Sequence, residues 1–141
     1  MSTSINRSIL IAVVAHISTV LSAIILILIP TINTVLNTTS QPQFSQGVSS
    51  KLTLFEAYGT DAFFIVILPW VITLVTTISC MMGRSTKDDK KQILWRWRSY
   101  SWASTAIMII FLGLLWSSIG APSIVYVIPT ILVAAAAVIN K

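Results

Sequence analysis

The chain has 141 residues, of which 55% are hydrophobic and only 9% are charged, and its mean hydropathy is +0.88. Soluble domains carry about 25% charged residues, so this composition excludes an ordinary water-facing surface and predicts one small membrane domain. The formal charge of +5 comes from nine Lys and Arg against four Asp and Glu, and the single cysteine, Cys80, excludes an internal disulfide.

The first half of the chain predicts one transmembrane helix followed by a long loop. A spanning helix needs roughly 20 mostly apolar residues, and residues 9–29 form such a run, without charge, ending at Pro30. The run exceeds the roughly 7–15 apolar residues of a signal peptide, so we expect it to be retained. The polar stretch 31–60 predicts an outer loop with a short helical piece in residues 51–58.

Two further apolar runs flank a charged segment. The second run covers residues 62–82, and Gly83 is expected to stop that helix. The third run covers residues 100–117. The charged segment 83–99 between them predicts a basic loop.

A tight turn and a fourth apolar run close the chain. Gly120 suits the turn, and Pro122 suits the first turn of a helix over residues 122–139. These elements predict an all-α fold, in which a single transmembrane domain over residues 1–141 forms an integral membrane four-helix bundle of up-down-up-down topology.

Basic residues predict the orientation, because Lys and Arg accumulate on the cytoplasmic side of membrane proteins. Arg7 and Lys141 fall on the same side as the basic loop, and only Lys51 falls on the other side. Eight basic residues against one predict a multi-pass protein of the cytoplasmic membrane with both termini inside the cell. The basic loop contributes six of the eight, namely Arg84, Lys87, Lys90, Lys91, Arg96 and Arg98.

Small and hydroxylated residues recur at three- to four-residue steps along the first helix, which places them on one face. Small residues let helix backbones approach closely, and hydroxyls form hydrogen bonds between helices. We therefore predict a helix-contact face here, with the other faces of the helix in lipid. Its members are Ala12, Ala15, His16, Thr19, Ser22 and Ala23.

His16 is the only histidine, and an ionisable residue inside a span is a candidate functional residue. A proton relay would need acids as well, and no Asp or Glu lies within an apolar run. We therefore favour a neutral histidine bonded to a neighbouring helix. A metal site would need further ligands at suitable spacing, which the sequence does not offer.

Two prolines fall inside the predicted second and fourth helices. Pro69 cannot donate to the carbonyl of Ile65, and Pro129 cannot donate to that of Val125. We expect both helices to kink and expect threonines or a facing helix to compensate the freed carbonyls. Kinks that face each other would leave a small cavity, and its candidate residues are Pro69, Trp70, Thr73, Tyr126 and Pro129.

Aromatic and basic residues alternate just before the third run. In a soluble protein this pattern suggests nucleic-acid stacking. Beside a span it indicates an interface with anionic lipid headgroups on the cytoplasmic side, so we predict lipid and no nucleic acid as the partner. The interface candidates are Lys90, Lys91, Trp95, Arg96, Trp97 and Arg98.

No pattern in the sequence indicates an enzyme. The serines are numerous, but G-x-S-x-G is absent and the single histidine lies inside a span. Glu56 and Asp61 are close enough in sequence to hold a cation, yet helix capping is favoured because no further oxygen ligands are evident. We predict no catalytic, metal or cofactor site.

The last two-thirds of the chain carries a set of spaced motifs, Thr53-Leu54-Phe55-Glu56, Gly59, Pro69, Gly120, Pro129 and the alanines at 134–137. This set resembles a recurring pattern of small bacterial four-span proteins, whose function is largely unassigned. The resemblance implies a bacterial inner-membrane location and no particular chemistry. Claudin-type proteins also have four spans, but their loop cysteines and tryptophan motif are missing here.

Two functions remain open at this point. The favoured one is a non-enzymatic accessory or structural component that acts through helix–helix contacts with other membrane subunits or with itself. The alternative is a small homo-oligomeric channel or transporter, which His16, the threonines of the second helix and the two prolines suggest.

Overall fold

The computed structural model describes residues 7–30, 32–35, 49–85 and 91–140. This part of the chain contains five α-helices, one pair of antiparallel strands and two 3-10 segments. The helices are α1 Arg7–Leu28, α2 Leu54–Tyr58, α3 Ala62–Ser85, α4 Lys91–Ile119 and α5 Val127–Ile139. The strands are β1 Ile32–Val35 and β2 Ser49–Leu52, and the 3-10 segments are Gly59–Asp61 and Ala121–Tyr126.

The helical fold class predicted from the sequence is confirmed. Within the described ranges, four helical stretches are long and apolar enough to cross a membrane. Three of them contain a predicted apolar run completely, and the first covers all of its run except residue 29. They are Arg7–Leu28, Leu54–Gly83, Trp95–Ile119 and Ala121–Ile139.

The long helices pack in a ring around an apolar core. Helix α1 packs against α3 and α5, and α4 packs against the same two helices from the other side. Ala12, Cys80 and Ala136 cluster at one end of the bundle. Leu26 and Tyr126 belong to the larger core cluster towards the other end. The start of α1 thus lies beside the ends of α3 and α5.

The predicted outer loop contains regular structure. Strand β1 pairs with β2 in an antiparallel register from Ile32↔Leu52 to Val35↔Ser49, which the sequence pattern did not indicate. The short helical piece expected in residues 51–58 is confirmed as α2. A capping box starts it, since Glu56 Oε2 accepts from the backbone N–H of Thr53 at 2.7 Å and Thr53 Oγ1 accepts from that of Glu56 at 3.4 Å.

The prediction that Gly83 stops the second long helix is wrong, because α3 continues to Ser85. Glycine ends a helix when it adopts a positive φ. Among the glycines in the described ranges, Gly59 and Gly120 do so, with φ of 55° and 67°. The turn predicted at Gly120 is therefore confirmed.

The basic loop predicted over 83–99 is wrong over residues 91–99, which form the first turns of α4. The charges in this segment limited the predicted span to the apolar run. A helix need not end where its apolar run ends, however. Residues 91–99 contain neither Gly nor Pro, and their Lys, Arg, Gln and Leu residues favour helix.

The predicted fourth helix consists of two parts, a 3-10 segment that holds Pro122 near its start and then α5 from Val127. Pro129 therefore lies in the first turn of α5 and not in the interior of an α-helix. The physical reason is its missing N–H, which cannot make the α-type bond to the carbonyl of Val125.

Candidate functional site in the helix contacts

The contact face predicted on α1 points into the bundle. Its five small members, Ala12, Ala15, Thr19, Ser22 and Ala23, are buried, and His16 is half-buried. The large aliphatic side chains on the other faces of α1 are exposed, as Ile17 and Leu21 show with 54% and 55% of their surface accessible. The small side chains of α1 thus meet protein, and most of its large apolar side chains do not, with the buried Leu26 as an exception.

Many buried hydroxyls bond within their own helix. Thr19 Oγ1 donates to the carbonyl of Ala15 at 2.9 Å, and Thr76 Oγ1 donates to that of Ile72 at 3.0 Å. A bond to the carbonyl four residues earlier satisfies a hydroxyl without a second helix. Thr19, which the sequence analysis expected to bond across the contact, is satisfied inside α1.

Hydrogen bonds cross from α1 to α3 at His16 and at Ala12. His16 Nδ1 lies 2.9 Å from Thr73 Oγ1, and Thr77 Oγ1 donates to the carbonyl of Ala12 at 3.2 Å. The two bonds are one helical turn apart on both helices, so they hold α1 and α3 in register. His16 therefore bonds to a neighbouring helix.

The surroundings of Thr73 define what His16 can do. Its hydroxyl lies within 3.0–3.1 Å of the carbonyl oxygens of Pro69 and Trp70, which can only accept. A threonine hydroxyl has one proton. When that proton is donated to either carbonyl, His16 Nδ1 must donate to Thr73 and Nε2 is left as an acceptor.

Hydroxyls from other segments bond to both carbonyls that the prolines free. Tyr126 Oη donates to the carbonyl of Ile65 on α3 at 3.2 Å. Ser22 Oγ on α1 donates to the carbonyl of Val125 at 2.7 Å. The proline positions predicted these two free carbonyls, but the sequence pattern did not indicate which residues donate to them. Adjacent residues, Val125 and Tyr126, thus link three helices at the end of the bundle opposite Cys80.

The five cavity candidates occupy two different environments. Pro69, Thr73, Tyr126 and Pro129 are buried, and the Tyr126 ring packs edge-on against Phe111 at a centroid distance of 5.9 Å. Trp70 is 42% exposed, and its ring lies 5.8 Å from that of His16. The structure brings Trp70 together with His16 at the surface and not with Tyr126 in the core.

The aromatic and basic candidates lie at the start of α4. Trp95, Arg96 and Arg98 are exposed, and Trp97 is half-buried with its ring edge-on to Tyr100 at 5.6 Å. Lys91 is the first residue of α4. The remaining candidate, Lys90, lies outside the described residues.

In the part of the chain that the structure describes, no three His, Cys, Asp or Glu side chains form a group that could hold a metal ion. The carboxylate of Glu56 is bound in the capping box of α2. No protein-family model, curated protein or solved structure matches this chain.

Proposed function

We propose that this chain is an integral membrane protein whose four long helical stretches cross a lipid bilayer. The observation that carries the proposal is the distribution of side chains, because many hydroxyls are buried and many large apolar groups are exposed. Phe64, Leu28 and Ile128 are 74%, 70% and 63% exposed. Apolar surface left in water costs about 25 cal/mol per Å² relative to burial, whereas lipid tails accept it.

The packing supports an up-down-up-down arrangement of the four spans. Ala12, near the start of α1, clusters with Cys80 and Ala136, near the ends of α3 and α5. Trp97, near the start of α4, lies beside Gly83 near the end of α3. These contacts support opposite directions for α1 and α3 and for α3 and α4, as an up-down-up-down bundle requires.

The charges support a cytoplasmic location for both termini. On the proposed topology, eight of the nine basic residues belong to the side of both termini, which favours a cytoplasmic location for that side. The exposure of Trp95, Arg96 and Arg98 at the start of α4 supports contact with anionic headgroups. The resemblance to small bacterial four-span proteins supports the bacterial inner membrane.

We further propose that the protein is a non-enzymatic accessory or structural component acting through helix contacts in a larger membrane assembly. Two polar side chains at the outer side of the α1–α3 contact, His16 and Trp70, support this role. Lipid tails offer them no hydrogen-bond partner, whereas a neighbouring membrane subunit does.

Labelling of introduced cysteines tests the topology. In a Cys80→Ala background, Ser45→Cys should react with a membrane-impermeant maleimide on intact cells, and Ser85→Cys only after lysis. The reason is that the two positions flank one span on opposite sides. Reaction of both variants on intact cells would contradict the four-span topology.

A further inference from the structure

We propose that the groove between α1 and α3 at His16 and Trp70 binds a second copy of this chain, related by a two-fold axis along the membrane normal. The inference rests on the proposed membrane function and names the partner for it.

The two polar side chains lie near the middle of the bilayer. At about 1.5 Å per residue, His16 is about 14 Å from the start of α1 at Arg7 and about 18 Å from its end at Leu28. The hydrocarbon core is about 30 Å thick. Trp70 is at nearly the same depth, because its ring lies 5.8 Å from that of His16. Tryptophan normally lies at the membrane interfaces, so this depth calls for a partner.

Each side chain retains one unused hydrogen-bonding group. His16 Nδ1 bonds to the hydroxyl of Thr73. When that hydroxyl donates its proton to a backbone carbonyl, His16 Nδ1 carries the ring proton and His16 Nε2 is an acceptor. The Trp70 indole N–H is a donor only. Within the described ranges, neither Nε2 nor the indole N–H has a hydrogen-bond partner. The groove thus contains one acceptor and one donor without a partner, and a polar group left unpaired in a lipid environment is costly.

A second copy supplies the matching pair. A two-fold axis along the membrane normal keeps the depth of every residue and places α1 of one copy against α3 of the other. Trp70 of each copy then faces His16 of its partner. Their difference in depth is no greater than the 5.8 Å between the rings within one copy. Two indole N–H to Nε2 bonds satisfy all four groups, and no further residue is needed.

Distances between spin labels test the proposed face. In a Cys80→Ala background, we would label Val13→Cys and, as a matched control, Val14→Cys. The two valines lie at almost the same depth and are 37% and 45% exposed. Val13 is three residues from His16 and points towards the groove, whereas Val14 points away from it. In detergent-solubilised dimers, the inter-copy distance should be shorter at 13 than at 14. Equal distances, or a shorter one at 14, would overturn the proposal.

Removal of the donor tests the hydrogen bonds. Trp70→Phe keeps an aromatic ring but loses the N–H, and symmetry removes two bonds from each dimer. One hydrogen bond in a membrane changes the association constant roughly threefold. Loss of two bonds should therefore weaken the dimer about eightfold. Energy transfer between labelled copies in phosphatidylcholine vesicles would measure this change. The control is Trp102→Phe on α4, where Trp102 is 52% exposed and outside the groove. Equal weakening by both variants would overturn the proposal.

Two other outcomes separate this inference from the proposed function. In the first, the wild-type protein is monomeric in vesicles while the Ser45→Cys and Ser85→Cys variants react as the topology predicts. That result would overturn the second-copy proposal and leave the membrane topology intact. A foreign membrane protein that co-purifies and is released by Trp70→Phe would also overturn the second copy as occupant, while supporting the accessory role.

Discussion

Pro69 and Pro129 create the same problem at two places in the bundle, and different parts of the chain solve it. Pro69 lies in the interior of α3 and Pro129 in the first turn of α5. The carbonyl that Pro69 frees accepts a hydrogen bond from Tyr126 at 3.2 Å. Pro129 leaves the carbonyl of Val125 without its usual N–H donor, and that carbonyl accepts a hydrogen bond from Ser22 at 2.7 Å.

The two donors differ in what else they do. Tyr126 is fully buried, packs edge-on against Phe111 and fills the core between α3, α4 and α5. Ser22 is small and lies on the close-packed face of α1. Tyr126 therefore combines a hydrogen bond with a large buried volume, whereas Ser22 combines a hydrogen bond with close approach of the helices. Loss of volume should therefore be worst at Tyr126, and gain of volume should be worst at Ser22.

The largest effect is expected for Tyr126→Ala. This change removes the hydrogen bond to Ile65 and leaves a cavity in the core, so it should lower the free energy of unfolding by about 3–5 kcal/mol, as for other large aromatic residues. Denaturation in mixed detergent micelles would measure it. Trp116→Ala is the control, because Trp116 is 56% exposed. A similar loss for both variants would show that Tyr126 has no special place in the core.

An intermediate effect is expected for Ser22→Leu. The larger side chain pushes α1 away from the 3-10 segment that holds Val125, and overpacking costs about 1–3 kcal/mol. The same micelle denaturation should show this loss, and Ala15→Leu should behave alike because Ala15 is also buried. Ile25→Leu, at a position that is 40% exposed, should change stability little. If Ile25→Leu were equally harmful, the contact face on α1 would be an accident of composition.

The smallest effect is expected for Tyr126→Phe, which tests the link between Tyr126 and Pro69 directly. Tyr126→Phe removes only the hydroxyl and should cost about 0.6 kcal/mol, the average for hydrogen bonds between membrane helices. In a Pro69→Ala background the restored N–H can donate to Ile65, so the cost should shrink. In a Pro129→Ala background it should stay the same. Equal costs in all three backgrounds, measured as double-mutant cycles, would show that Tyr126 does not compensate for Pro69.

Spacing along the chain determined much of this protein. Apolar runs located the four long helical stretches, the three- to four-residue steps located the buried face of α1, and the positions of Pro69 and Pro129 identified two carbonyls that need donors. These features depend on helical periodicity and on the missing proline N–H, which are local properties. Helix propensity was under-weighted at the start of α4, where the charges concealed a continuous helix.

The partners of those groups were decided by the tertiary structure alone. The donors to the two freed carbonyls come from 61 and 103 residues away, and Thr73 is 57 residues from His16. Several hydroxyls in the sequence could have served, and which one does depends on how the helices rotate and pack. The same packing left Trp70 outside, beside His16, because its flank of α3 lies at the edge of the contact with α1.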